Sequence, residues 1–217
     1  MTSGWQFRSF VDPSARLDTF GRVRNPIRSK NLNPRFIPAA VLVALLLVWS
    51  QPSWSSVAWG VPFVLAGVGV RVWAVGYLVK TARLTTDGPY AYVRHPLYLG
   101  TLLIGIGVLV MLGGAAAGLG AVGLLSWFGF AYLPRKEQTE ADRLIALYGA
   151  RYVEYREEVP ALFPRVSRWR PVTGDDSAES GPEESWQLNR FDTNNELGTL
   201  LAVVVLLGLV CGRVLLV

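Results

Sequence analysis

The chain has 217 residues, of which 51% are hydrophobic and only 17% charged, whereas soluble domains carry about 25% charged residues. Its single cysteine, Cys211, excludes an intrachain disulfide framework, and its single histidine, His95, excludes a multi-histidine metal site. The formal net charge is +5, but the basic residues lie at the ends of long apolar runs, so we reject nucleic acid as a partner. These numbers indicate an α-helical membrane protein.

Five hydrophobic segments follow a polar, basic N-terminal stretch, which does not resemble a cleaved signal peptide. The segments cover about residues 37–49, 57–79, 97–112, 115–133 and 197–217. A run of about 18 or more apolar residues can cross a bilayer as a helix, and the first and third segments are shorter than this. We expect each segment to be helical, with Pro38 and Pro96 in the first turn of its helix.

The loops between these segments differ in positive charge. Residues 1–36 carry seven Lys or Arg, the 80–96 loop carries Lys80, Arg83 and Arg94, and Arg135 and Lys136 follow the fourth segment. The loops near residues 50–56 and 113–114 carry none. Because Lys and Arg concentrate on the cytoplasmic side, the N-terminus, the 80–96 loop and residues 134–196 are expected to be cytoplasmic. Lysine occurs only at positions 30, 80 and 136, whereas arginine is common, which suggests a GC-rich bacterial genome and hence a bacterial cell membrane.

A charged but periodic stretch covers residues 135–158. Apolar and aromatic residues recur at helical spacing, which predicts a helix from about Lys136 to Tyr148, a cap or kink at Gly149, and a second helix that Pro160 ends. This segment is expected to lie on the membrane surface or to cover a site at the inner face.

An acidic stretch without basic residues, 171–189, separates the last hydrophobic segment from the rest. Its composition predicts a flexible linker, so the last helix is expected to be an appendage. Gly208 and Gly212 have the spacing at which membrane helices approach closely, although glycines are common in such helices. We expect the C-terminal helix to pack on another helix, including one from a second copy of the chain, which would make a homo-oligomer.

Together these features predict an all-α fold. It is a polytopic membrane helix bundle with four core transmembrane helices, a cytoplasmic amphipathic helical segment and a C-terminal fifth hydrophobic helix. The predicted divisions are a basic N-terminal segment (1–36), a membrane core (37–170), an acidic flexible linker (171–196) and a C-terminal transmembrane helix (197–217).

The chemistry is concentrated in residues 84–100, LTTDGPYAYVRHPLYLG. Asp87-Gly88-Pro89 predicts a turn, and His95 before Pro96 predicts an extended residue followed by a helix start. Arg94 and His95 would then lie at the membrane boundary, beside helix N-terminal amides that attract a carboxylate.

Two motifs resemble the isoprenylcysteine carboxyl methyltransferase and phospholipid N-methyltransferase family. The first is Gly88-Pro-Tyr90 followed by Arg94-His-Pro-Leu-Tyr98 and Gly100. The second comprises Glu140, Leu144, Tyr148-Gly149, Tyr152, Tyr155 and Val159-Pro160. The family has a Glu-Glu pair where this chain has Glu140 and Ala141.

The resemblance implies S-adenosylmethionine as the cofactor and a lipid, a prenylated compound or a small hydrophobic molecule as the methyl acceptor. The basic position four residues before Glu140 faces the acceptor in the family, which makes Lys136 the candidate, with Arg135 as a substitute. Glu140 can pair with the cofactor's ammonium group, and tyrosine faces suit its sulfonium. The expected cofactor-binding residues are Ala82, Arg83, Leu84, Thr85, Tyr90, Arg94, His95, Pro96, Leu97, Tyr98, Gly100 and Glu140.

Two other functions compete with this one. A membrane sterol-type reductase that uses NADPH has a similar cytoplasmic His-Pro-x-Tyr-x-Gly element but typically places Asn after the proline, where this chain has Leu97. A non-enzymatic membrane protein with a methyltransferase-like core is favoured by Ala141. Binding of S-adenosylhomocysteine or of NADPH would separate the three.

Overall fold

The structure is a computed structural model that describes residues 37–79, 84–170, 185–194 and 196–216, all within one compact unit. Every regular element in these ranges is helical, which confirms the all-α prediction. The elements are α1 (Ile37–Trp49), α2 (Trp54–Tyr77), a 3₁₀ turn (Gly88–Ala91), α3 (Pro96–Leu112), α4 (Gly114–Ser126), a π-helical turn (Trp127–Tyr132), α5 (Leu133–Tyr148), α6 (Ala150–Glu158), α7 (Arg190–Asn194) and α8 (Glu196–Leu216).

Three stretches of helix within the described residues are long and apolar enough to cross a membrane. They are Trp54–Tyr77, the continuous helix Gly114–Tyr148, and Glu196–Leu216. The apolar helix α3, with 17 residues, is shorter than a full span. The chain is therefore a helical membrane protein, as its composition predicted. The basic residues 1–36, the linker residues 171–184 and the residues 80–83 lie outside the described part.

Helix α2 begins earlier than the hydrophobic pattern predicted, at Trp54 rather than near Val57. Ser53 and Ser56 form a capping box, in which each side chain accepts a hydrogen bond from the backbone N–H of the other. Such a cap satisfies N–H groups that the first turn of a helix leaves without partners. The pattern missed this start because serines are polar.

The fourth hydrophobic segment and the charged helix after it form one continuous helix, Gly114–Tyr148. The sequence predicted a break between Leu133 and Lys136, so this expectation was wrong. The π-helical turn ends at Tyr132, two residues before Pro134, and thereby accommodates a residue that has no N–H to donate. The predicted stop at Gly149 is confirmed: Gly149 has φ 55°, and α6 begins directly after it.

Glycines let α2 and α3 pack closely. A β-carbon at Gly67 would lie 2.6 Å from the backbone oxygen of Gly100, and one at Gly107 would lie 2.8 Å from that of Gly60. In a membrane, burying apolar side chains between helices gains little, because the lipid around them is equally apolar. Helices associate there through close packing, which small residues at the interface allow. Helices α2 and α3 form the most closely packed pair of the described helices, and α8 packs against both of them.

Helix α8 contributes to the core of the bundle. Val203 and Val210 are buried in a cluster with Val64 of α2 and with apolar side chains of α3. The stretch before α8 also packs on α2, because Trp186 donates a hydrogen bond from its ring N–H to the Val72 oxygen at 3.2 Å. The expectation of an appended tail helix therefore differs from the structure: one side of α8 packs on α2 and α3, while many of its other apolar side chains are exposed.

Candidate functional site

A short 3₁₀ turn carries the first motif. Gly88 has φ 58° and lies over the Tyr77 ring, so a side chain there would be strained and would also collide with that ring. The turn buries Tyr90, and the Tyr155 hydroxyl donates a hydrogen bond to the backbone oxygen of Tyr90 at 2.7 Å. Val79 N–H donates to the Thr85 hydroxyl at 3.3 Å, which joins the start of this loop to the end of α2.

A second loop, residues 159–170, holds the other side of this motif. The backbone N–H groups of Arg94 and His95 donate to the oxygens of Pro160 and Ala161 at 2.9 and 3.0 Å. In return, the Trp169 N–H donates to the Ala91 oxygen at 3.0 Å. The two motifs, which are distant in sequence, are thus parts of one structure.

The loop of the first motif, the ends of α2 and α3, and α5 and α6 line a cavity of about 370 Å³. Its lining is mostly apolar and aromatic, with a few convergent polar groups, as is usual for small-molecule sites. The lining residues are Leu78, Val79, Leu84, Thr85, Tyr90, Arg94, His95, Pro96, Leu97, Tyr98, Glu140, Arg143, Leu144, Leu147, Tyr148, Tyr152 and Tyr155.

Glu140 of α5 is the acidic residue of this cavity. It accepts a 2.5 Å hydrogen bond from the Tyr98 hydroxyl on Oε1, and its Oε2 lies 3.5 Å from His95 Nδ1. The His95 and Tyr98 rings stack, with their centroids 5.1 Å apart. Both partners lie at the start of α3, so Glu140 joins α5 to α3 across the cavity.

A second carboxylate approaches the same motif from α5. Arg94 Nη2 lies 2.8 Å from Glu137 Oε1, and the Arg94 side chain is 10% exposed. Ala141, which stands where the resemblance expects a second glutamate, is buried among Tyr152, Tyr155 and neighbouring apolar groups. Glu137, one helical turn before Ala141, therefore places a second carboxylate beside the first motif, although it does not line the cavity.

Several polar atoms of the lining are buried without a hydrogen-bond partner among the described residues. They are Tyr90 Oη, Arg94 Nε and Nη1, and His95 Nε2. Buried polar groups are nearly always hydrogen-bonded, so each of these four atoms requires a partner. A polar ligand or a water molecule would supply it.

Burial sets the protonation of two of these groups. It lowers the pKa of the His95 imidazole below its ordinary value, and the nearby Glu140 carboxylate opposes that shift only in part. It also raises the pKa of the Tyr90 phenol, so this hydroxyl keeps its proton. At neutral pH, His95 is accordingly a neutral imidazole, which can donate from one nitrogen and accept on the other.

The structure brings together most, but not all, of the predicted site residues. The nine that line the cavity are Leu84, Thr85, Tyr90, Arg94, His95, Pro96, Leu97, Tyr98 and Glu140. Ala82 and Arg83 lie outside the described residues. Gly100 does not line the cavity; it faces α2, and the Arg71 side chain passes over it. Arg135 and Lys136 are exposed and do not line the cavity either.

Besides Arg94, the lining contains a second arginine, Arg143, which the two motifs did not indicate. It follows Glu140 by three residues, and Leu144, Leu147 and Tyr148 continue the same stripe. Residues three and four apart lie on the same face of a helix, so the spacing of these residues from Glu140 predicts that they share its face of α5. The resemblance indicated the preceding helical turn, with Lys136 and Arg135, instead.

Comparisons with known proteins match the part of the chain that carries this site. The profile of the Isoprenylcysteine carboxyl methyltransferase (ICMT) family matches residues 63–140, which include both the first motif and Glu140. The Protein-S-isoprenylcysteine O-methyltransferase of Schizosaccharomyces pombe is 35% identical over 40% of this chain, which spans only 35% of that enzyme. The human Protein-S-isoprenylcysteine O-methyltransferase is 38% identical over 40% of this chain and 29% of its own length.

A longer match is to the Cobalt-zinc-cadmium resistance protein CzcN of Cupriavidus metallidurans. It is 33% identical over 65% of this chain and 69% of the relative. No solved structure matches the chain. The motifs, the cavity that they enclose and these relatives lead to one conclusion: the chain belongs to the isoprenylcysteine carboxyl methyltransferase family of membrane methyltransferases.

Proposed function

We propose that this chain transfers a methyl group from S-adenosylmethionine to a hydrophobic acceptor at the cytoplasmic face of a membrane. The observation that carries the proposal is the cavity in which Glu140 lies beside four buried, unpartnered polar atoms. Curated relatives of the chain are methyltransferases for isoprenylcysteine, which supports the same reaction class.

The lining fits the charged groups of the cofactor. Glu140 would hold the ammonium group, and the Arg94 guanidinium, with Nε and Nη1 unpartnered, would hold the carboxylate. Neutral His95, whose Nδ1 faces Glu140, offers Nε2 as an acceptor for an N–H or O–H of the ligand. The aromatic faces of Tyr90, Tyr148 and Tyr152 are available to stack on the adenine or to stabilise the sulfonium cation.

The cofactor supplies an electrophilic methyl group with a good leaving group already attached. The work left to the chain is positioning and exclusion of water. Glu140 and Arg94 would orient the ligand by binding its ammonium and carboxylate groups, respectively. The apolar side chains of Leu84, Leu144 and Leu147 would keep water from the reacting atoms. A carboxylate acceptor would need no base, because it already carries the electron pair that attacks the methyl group.

The acceptor would enter along the apolar side of the same cavity. Leu78, Leu97, Leu144 and Leu147 line this side, and Arg143 is the cation beside them. We infer that Arg143 binds an acidic group of the acceptor while the leucines contact its hydrophobic part. This replaces the earlier assignment of that role to Lys136 or Arg135, which do not reach the lining.

Charge distribution supports a cytoplasmic site. The cavity lies at the end of the bundle that holds the C-terminus of α2 and the N-terminus of α3, where the positive loops cluster. The turn at the other end, around Gln51 and Gly113, is free of Lys and Arg. We also keep the proposal that α8 mediates self-association, because β-carbons at Gly208 and Gly212 would meet no atom within 4 Å.

Calorimetric titration of the purified protein in detergent tests the cofactor. We expect S-adenosylhomocysteine to bind and NADPH not to bind. In the same preparation, S-adenosylmethionine should methylate N-acetyl-S-farnesylcysteine, measured as a base-labile methyl ester. Binding of NADPH without S-adenosylhomocysteine would overturn the proposal in favour of a reductase.

A further inference from the structure

Arg71 is a charged residue in the interior of α2, a helix that is apolar enough to cross a membrane. Ionisable groups at such positions are costly and are generally paired or functional. The Arg71 side chain is 12% exposed and turns toward α3 and α8, across the space that Gly100 leaves by having no side chain.

Its main partner is Glu196, the first residue of α8. Arg71 Nε and Nη2 donate to the two Glu196 carboxylate oxygens, each at 2.7 Å, and the Glu196 side chain is 3% exposed. This bidentate geometry is the strongest arrangement of a guanidinium and a carboxylate. The pair therefore fixes the start of α8 against the middle of α2.

The remaining nitrogen of Arg71 reaches the cavity-forming helix. Nη1 donates to the Leu97 oxygen at 3.1 Å and to the Thr101 hydroxyl at 2.6 Å, and that hydroxyl donates to the same Leu97 oxygen at 2.8 Å. Leu97 lies in the first turn of α3, between the cavity-lining residues Pro96 and Tyr98. One guanidinium thus connects α8 directly to the turn that presents His95 and Tyr98 to the ligand.

A second attachment holds the other wall of the cavity. Arg190 donates to the Gly76 oxygen at 3.0 Å, and Asn194 donates to the oxygens of Val75 and Leu78 at 3.4 and 3.3 Å. The last carbonyls of a helix lack partners within it, so these side chains satisfy the end of α2. Leu78 lines the cavity, which places the C-terminal part of the chain behind two of its walls.

We propose that Arg71 and Glu196 are positioning residues, through which the C-terminal helix holds the first turn of α3 in the geometry that binds the ligand. Neither residue touches the cavity, so both act through Leu97 and its neighbours. The ligand part of this inference rests on the proposed function. It reverses the expectation that the last helix is an appendage separated from the core by a flexible linker.

A double substitution separates positioning from simple stabilisation. Arg71→Leu or Glu196→Leu alone leaves a buried charge unpaired, so each single variant should unfold at a lower temperature than the wild type. Arg71→Leu/Glu196→Leu leaves no charge, and we expect it to regain most of that thermal stability in detergent. It still lacks the link to Leu97, so we expect its affinity for S-adenosylhomocysteine to remain about tenfold or more below that of the wild type.

A ligand-free readout keeps the inference testable if S-adenosylhomocysteine does not bind the wild type. Hydrogen exchange of the segment 96–101 should be faster in the stable double variant than in the wild type, while exchange of α4 stays unchanged. A double variant that regains both stability and affinity, or that keeps wild-type exchange in this segment, would overturn the positioning role. If S-adenosylhomocysteine does not bind the wild type, but the exchange of residues 96–101 changes as expected, the result contradicts the proposed function and not the positioning role.

A matched pair of milder variants covers the case in which the double variant does not fold. Thr101→Val removes the hydroxyl between Arg71 and the Leu97 oxygen, whereas Thr199→Val removes a weaker 3.5 Å contact of Arg71 on the α8 side. We expect Thr101→Val to speed hydrogen exchange of residues 96–101 at least about threefold and Thr199→Val to leave it within about twofold. Equal exchange in the two variants would show that the Leu97 link has no positioning effect.

Discussion

At the scale of single residues, Glu140 has the most specific environment in the cavity. It accepts a hydrogen bond from Tyr98, lies beside the imidazole of His95 and faces a space that would receive a cationic group. The sequence predicted this residue from a motif, and the structure places it in the cavity lining together with Tyr98 and His95. What the motif could not predict was the pairing of Arg94 with Glu137, because that contact depends on how α5 is rotated against the loop.

The first prediction concerns this carboxylate. Glu140→Gln keeps the shape of the side chain but removes the charge that would pair with an ammonium group. Hydrogen bonds to charged groups contribute about 1.5–3 kcal/mol, so affinity for S-adenosylhomocysteine should fall about 10- to 100-fold by calorimetry. Asp142→Asn, an exposed change on the same helix, is the control and should leave the affinity nearly unchanged. Equal effects of the two changes would mean that Glu140 is only a surface charge.

The second prediction concerns His95, the only histidine of the chain. Because burial lowers its pKa, an NMR titration of the labelled imidazole in the folded protein should show a midpoint below the ordinary value of about 6.5. In the unfolded chain the same group binds a proton at about pH 6.5, while the folded state still resists protonation. The free energy of unfolding should therefore decrease as the pH falls below about 6.5, and level off once the folded imidazole is protonated too.

His95→Gln is the control for this linkage, since glutamine does not titrate. Between pH 7.5 and 5.5, the wild type should lose more thermal stability than the variant does. An imidazole midpoint at or above the ordinary value would contradict the assignment of a neutral histidine.

The third prediction separates Arg143 from the two basic residues that the motif favoured. If Arg143 binds an acidic group of the acceptor, Arg143→Gln should raise the KM for N-acetyl-S-farnesylcysteine about tenfold while kcat stays close to that of the wild type. Lys136→Gln should change neither value, because Lys136 is exposed and outside the lining. A larger effect of Lys136→Gln would return the acceptor site to the preceding helical turn.

At the scale of elements, the close approach of α2 and α3 sets the positions of the cavity walls. Gly67 and Gly69 stand two residues apart in the same helix, but only Gly67 faces α3. A β-carbon at Gly67 would lie 2.6 Å from the Gly100 oxygen and 2.8 Å from Ile104, whereas one at Gly69 would meet no atom within 4 Å. Gly67 is therefore a packing residue of the contact between α2 and α3, whereas Gly69 is not.

These two glycines give a matched test. Gly67→Val forces α2 and α3 apart and should destabilise the folded protein by about 1–3 kcal/mol, seen as a lower unfolding temperature in detergent. Gly69→Val introduces the same side chain into open space and should have little effect. If both variants unfold at the same temperature, α2 and α3 do not pack closely at Gly67.

The continuous helix Gly114–Tyr148 also belongs to this scale. Its apolar half and its charged half looked like two elements because composition changes abruptly near Pro134. Backbone hydrogen bonding does not depend on that change, and a π-helical turn lets the chain pass the proline. The helix therefore carries Glu140 and Arg143 on a rigid extension of a membrane span rather than on a separate surface helix.

At the scale of the whole molecule, orientation in the membrane is still a prediction from charge. In a Cys211→Ser background, an impermeant maleimide added to intact cells should label Ser55→Cys, at the start of α2. It should not label Ala146→Cys near the cavity end until the membrane is permeabilised. Both positions are exposed in the structure, so burial does not confuse the result. Labelling of Ala146→Cys in intact cells would invert the proposed topology.

The sequence by itself determined the membrane class, the order of the helices and most of the residues that line the cavity. Hydrophobic runs, turn residues and motif spacing are local properties, and they do not require knowledge of what packs against what. Only the tertiary structure placed Gly100 against α2, Glu137 beside Arg94 and Arg143 in the cavity lining, since each position depends on which face of a helix meets its neighbour. It also decided that α8 is part of the core, because an apolar helix in lipid gains its position from a few polar contacts, such as the pair between Arg71 and Glu196, that sequence patterns do not connect.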